Sequence, residues 1–119
     1  MTVSVAQQFL WIGDDWTITV SVIDANRLPV NFITNGLTPG SEYFDGVSPT
    51  PTNYTPSMDS VNGKFTVTIP KSITANAPPM GINSTTSSTR LHAFVTDVQN
   101  KRTTIGVIEI IPLDPETAY

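Results

Sequence analysis

An alternation with a period of two is the feature that ties this chain most tightly to one kind of fold. Trp16, Ile18, Val20 and Val22 are apolar, and Thr17, Thr19 and Ser21 between them are polar. Successive side chains of a β-strand point to opposite faces, so the pattern describes a strand buried on one side and wet on the other. The same grammar recurs in "KFTVTI", residues 64–69, where Phe65, Val67 and Ile69 share a face behind the turn dipeptide Asn62-Gly63. It returns once more near the end. "TRLHAFVTD" and "TTIGVIEII" flank a short polar connection and read as a hairpin.

Between these strands the chain is punctuated rather than periodic. "DANRLP" supplies Asp24, Asn26 and Pro29 as turn formers. "TVSVAQQFLWI" reads as a first strand, with a break expected near Gln7 and Gln8, and "EYFDGV" as a short strand. "SPTPTNYTPS", residues 48–57, carries three prolines and no apolar period, so an extended surface loop is expected there. "PKSITANAPP" has room for one helical turn before Pro78 and Pro79 stop it. "NSTTSST", residues 83–89, is a polar loop. About seven short antiparallel strands with at most one short helical turn imply an all-β fold, an immunoglobulin-like β-sandwich. The expected core is Trp16, Ile18, Val20, Phe65, Val67, Ile69, Leu91, Val95, Ile108 and Ile110.

Length and charge narrow the function. At 119 residues there is room for one domain, 1–119, with residues 1–12 as a candidate assembly segment and 113–119 as a C-terminal tail. With no cysteine, thiolate chemistry and disulfides are excluded. Charged residues make up 13%, against about 25% in a typical domain, and Ser, Thr and Asn take their place on strand faces and turns. The formal net charge is −4 and the six basic residues are scattered, so no cationic stripe exists to displace counterions from a nucleic acid. The opening "MTVSVAQQFLWIG" lacks the cationic start of a secretion signal, and no apolar run approaches the roughly 20 residues that span a bilayer. A soluble protein made in the cytoplasm is expected, without nucleic-acid or membrane partners.

Each candidate for chemistry has a structural reading beside it. Asp14 and Asp15 are adjacent, and neighbouring strand positions face opposite ways, so the two carboxylates do not converge on one substrate. They are read as the polar lead-in to a strand. His92 is the only histidine, no G-x-S-x-G elbow accompanies it, and it falls on a strand face. Asp24 and Asp97 end their strands in matching ways, but neither loop has the oxygen-ligand rhythm of a calcium site. "NYT" at Asn53 and "NST" at Asn83 match the glycosylation acceptor and are read as chance. Trp11 and Trp16 form either core or a sugar-stacking platform, and an aromatic on an alternating strand favours core. No catalytic residue, metal ligand, cofactor or small-molecule substrate is expected.

The segments "GDDWTITVSVIDANRLPVNF", "GKFTVTIPKSITANAPPMG" and "LHAFVTDVQNKRTTIGVIEIIP" share an order of elements. Together they resemble small bacteriophage virion proteins with an immunoglobulin-like fold. The likeness covers most of residues 13–112; the chain departs from it at "NFITNGLTPGSEYFDG" and in a longer loop at 82–89. The resemblance implies a non-enzymatic structural component of a phage particle, of tail, baseplate or fibre-attachment type. It would be present in several copies and act by docking to other phage structural proteins. Its expected contact residues are Phe9, Leu10, Trp11, Ile12, Tyr54 and Tyr119, with "FLWI" serving as core or as an assembly contact. A head decoration protein, or a module touching host glycans through Trp11, Trp16 or Tyr54, stays open as the alternative.

Overall fold

The computed structural model describes residues 4–80 and 88–114, and side chains from residue 8 onward within that range. Among the described residues eight strands follow in chain order: β1 (Ser4–Trp11), β2 (Trp16–Ser21), β3 (Thr38–Phe44), β4 (Thr52–Asn53), β5 (Ser57–Asp59), β6 (Lys64–Ile69), β7 (Arg90–Thr96) and β8 (Arg102–Leu113). One four-residue helix, α1 (Lys71–Thr74), follows β6. The strands form two sheets, β1-β8-β7-β3-β4 and β2-β6-β5. Among the described strands pairing is antiparallel except for β1, which runs parallel to β8; Met80 adds an isolated parallel bridge to Leu113. A β8-β7-β3 sheet facing a β2-β6-β5 sheet is the arrangement of an immunoglobulin-like sandwich, as the alternation implied.

The two clearest sequence strands pair with each other. Trp16, Ile18 and Val20 of β2 lie opposite Ile69, Val67 and Phe65 of β6, so both apolar faces turn inward together. All ten expected core residues contribute: nine are buried, and Val20 is half-buried against the same cluster. Phe32, Tyr43, Ala93 and Ile105 join them, with the Trp16 ring edge-on to Tyr43 and Phe32 tilted on Phe65. Helix α1 is capped from afar. The Asp15 carboxylate accepts from the Lys71 amide at 2.7 Å, and the buried Thr74 hydroxyl donates to the Asp14 carbonyl at 2.7 Å.

Three local expectations are corrected. β1 runs unbroken through Gln7 and Gln8, because each residue from Ser4 to Trp11 keeps a partner on β8. The strand expected at "EYFDGV" begins earlier, at Thr38, and stops at Phe44, where Asp45 turns the chain by accepting from the Val47 and Ser48 amides. The proline-rich stretch contains β4 and leads into β5 rather than looping throughout. Most of "NSTTSST", with Asn83, lies outside the described residues, as does Tyr119.

Candidate functional site

Two surfaces stand out, one on a sheet face and one at an end of the sandwich. On the outer face of the five-stranded sheet, outward positions of β3, β7 and β8 assemble a cluster of rings and cations. Gly40 lies opposite Phe94 across the β3–β7 ladder, and its missing side chain is what lets the ring lie there: a Cβ would come within 2.6 Å of the ring carbons. Arg102 stacks on Phe94, 3.9 Å from its centroid, and pairs with Glu42. One step along, Arg90 stacks on Phe44 at 4.2 Å and its Nε donates to His92 Nε2 at 3.0 Å. The His92 ring packs on Phe44 at 4.8 Å.

This geometry decides what His92 can do. Its Nε2 is an acceptor already engaged by a guanidinium. Burial first, then the Arg90 and Arg102 charges, hold its pKa below the ordinary value, against an opposing pull from Glu42. A neutral imidazole wedged between Phe44 and Arg90 is a packing element. Arginine and aromatic side chains presented together are, by composition, what the centres of protein interfaces use. Beside Arg90 and Phe44 a shallow hollow of about 300 Å³ is lined by Gly46, Val47, Ser48 and Ser88.

The second surface is the end where the β2–β3 connection, the β5–β6 turn and the β7–β8 hairpin meet. The Phe32 amide donates to the Ser60 carbonyl at 3.0 Å, and Gly36 sits against Val98. Four aliphatic side chains project from these three loops: Leu28, Ile33, Val61 and Val98, from 59% to 87% exposed. The loop acids are occupied locally. Asp24 accepts from the Asn26 and Leu28 amides, and Asp97 from the Gln99 and Lys101 amides, each at 3.0 Å or less. Among the described residues no group of three or more His, Asp or Glu side chains converges to hold a metal ion.

The residues singled out from sequence are dispersed. Asp14 and Asp15 sit in the turn before β2 and are tied to α1 through one backbone carbonyl and one carboxylate. Trp16 is 1% exposed and donates to the Trp11 carbonyl, which removes it from any sugar-stacking surface. Leu10 and Ile12 pack on the main core, and Trp11 packs with Ile111, Leu113 and Met80 in a smaller cluster. Phe9 is the member of "FLWI" left with a largely exposed ring. Tyr54 leans on Tyr43 and is half-buried, and Asn53 is exposed in β4. The outward set of β7, Arg90, His92 and Phe94, was there to read in the alternation of "RLHAFVT". The aliphatic loop tips carry no period and gave no such signal. No helix among the described residues is long and apolar enough to cross a membrane. The chain matches no family model, and no curated protein matches it.

Proposed function

We propose that this chain is a non-enzymatic structural subunit of a bacteriophage particle, placed in the tail or baseplate and working by docking to other virion proteins. The observation that carries the reading is the loop tip. Leu28, Ile33, Val61 and Val98 come from three separate connections, yet the sandwich topology delivers them to the same end. Single exposed aliphatics are ordinary; four at the tips of loops that meet at one end offer apolar area for a partner to cover. The resemblance of residues 13–112 to small virion proteins supplies the biological setting. The engaged imidazole of His92 and the locally occupied acids at positions 15, 24 and 97 suit a protein whose work is done by surfaces.

Mass spectrometry of purified particles tests the reading. The protein is expected in stoichiometric amounts, and the double substitution Ile33→Asp, Val98→Asp is expected to fold normally while its incorporation drops at least tenfold. Mature particles that contain none of this protein would overturn it.

A further inference from the structure

The two sides of the sandwich are finished differently. On one side the outermost strands are β4 and β5, of two and three residues. Pro49, Pro51 and Pro56 flank them, and Asp59 ends β5. Short strands, prolines and charges are the means by which proteins blunt a sheet edge. On the other side the outermost strands are β1 and β2, of eight and six residues, and neither contains a charge or a proline. Among the described residues no strand pairs with the outer edge of either.

The direction of the backbone at β2 follows from its register. The Val22 amide donates to the Gly63 carbonyl, so the backbone N–H at this position points toward β6, and with the period of two so do those of Val20, Ile18 and Trp16, opposite Phe65, Val67 and Ile69. The N–H and C=O groups of Thr17, Thr19 and Ser21 therefore point out of the sheet. Their side chains are exposed as well, with the Thr19 hydroxyl held 3.0 Å from that of Thr66. This is a regular, unprotected strand edge.

We infer that this side is where a second copy of the chain adds, strand to strand, across a two-fold axis. A stable interface needs about 1,000 Å² or more, beyond what one six-residue edge supplies, but here two edges lie side by side in facing sheets about 10 Å apart. Symmetry favours a copy of the same chain over an unrelated strand. The turn Ile12–Asp15 sends the chain back in the opposite sheet, so β1 and β2 run in opposite directions. A two-fold axis normal to the sheets pairs β1 with β1 and β2 with β2. A two-fold axis along the strands pairs β1 with β2. Both arrangements are antiparallel in both sheets, so the side is complementary to itself. The inference stands on these edges alone and does not require the virion reading.

Sedimentation of the purified full chain tests it. Wild type is expected to show twice the chain mass in the micromolar range, and Thr19→Pro, which deletes an outward amide and leaves the β6 ladder intact, is expected to be monomeric with an unchanged circular dichroism spectrum. A wild-type chain that stays monomeric, or a folded Thr19→Pro chain that still dimerises, overturns the inference. Should Thr19→Pro not fold, amide exchange on wild type decides. Thr17, Thr19 and Ser21 amides that become protected as concentration rises support pairing at this edge, and rates independent of concentration overturn it. A monomer in solution that is nevertheless abundant in particles would remove this inference and leave the proposed function standing.

Discussion

The Asp15 carboxylate accepts a hydrogen bond from the backbone amide of Lys71, 2.7 Å away and 56 residues later in the chain. It stands at the start of β2 and supplies the cap that Pro70, at the helix N-cap position, cannot. The acidic pair is thereby divided: Asp15 acts through its side chain, and Asp14 through its main chain. Asp15→Ala is expected to lower stability by about 0.5–1 kcal/mol, the lower range for a lost cap because the bond is exposed. Asp14→Asn is expected to change it by less than about 0.5 kcal/mol. Urea titration of the two variants checks the contrast, and equal effects would contradict it.

Thr74 should matter more than either acid. It is fully buried, and its hydroxyl donates to the Asp14 carbonyl and accepts from the Gly13 amide. Thr74→Val keeps the shape and strands both backbone partners, so a loss of about 1–3 kcal/mol is expected in the same titration.

Gly63 is expected to resist replacement strongly. It has φ +63°, and a Cβ there would lie 2.6 Å from the Val30 carbonyl oxygen and 2.8 Å from both the Val22 oxygen and the Val30 nitrogen. These are backbone atoms of the β2–β3 connection and have nowhere to move. Gly63→Ala is expected to cost more than about 2 kcal/mol, combining left-handed strain with the clash. Gly13 also has positive φ, +91°, but nothing lies within 4 Å of its added Cβ, so Gly13→Ala should cost clearly less. Thermal melts of the two variants measure the difference.

What the sequence made legible was whatever repeats with period two over a short span. β2, β6 and β7 could be read residue by residue, and Val67 and Ile69 are buried on the expected face. β8 shows where such reading stops. A bulge opposite Ala93 and Phe94 inserts Ile105 as an extra residue, so Ile105 faces inward on odd numbering while Ile108 and Ile110 face inward on even. One inserted residue changes the phase of every later position, and no local pattern announces it. The Asp15–Lys71 cap and the Arg102–Phe94–Gly40 stack were hidden for a different reason. Each joins segments far apart in sequence, and only the sheet order brings them together.

Acid is expected to weaken the outer sheet face. The His92 pKa is lowered from 6.5 by burial and by Arg90, so the folded state resists a proton that the unfolded state accepts. A group of this sign contributes stability that is present above the unfolded value and lost as the pH falls through 6.5 and below. Urea midpoints at neutral pH and at about pH 5 should therefore differ more for wild type than for His92→Gln, which cannot charge. An identical pH response in the two proteins would show that burial and the Arg90 charge do not hold the His92 pKa down in solution.

Tyr43 gives the opposite dependence, at the alkaline end. Its ring is 3% exposed between Trp16 and Tyr54, and its hydroxyl has no hydrogen-bond partner among the described residues. Burial, with smaller contributions from Asp45 and Tyr54, pushes its pKa from 10.0 up to about 12. The unfolded chain therefore loses this proton before the folded one does, so stability is complete below pH 10 and falls as the pH rises from 10 toward 12. Tyr43→Phe removes both the titration and an unsatisfied buried oxygen. At neutral pH it is expected to be neutral or stabilising by up to about 1 kcal/mol, since no bond is lost and a desolvation cost disappears. Above pH 10 its advantage over wild type should widen. Denaturant titrations of the pair at neutral pH and near pH 11 measure both effects. A Tyr43→Phe protein clearly less stable than wild type at neutral pH would mean that the hydroxyl makes a favourable bond.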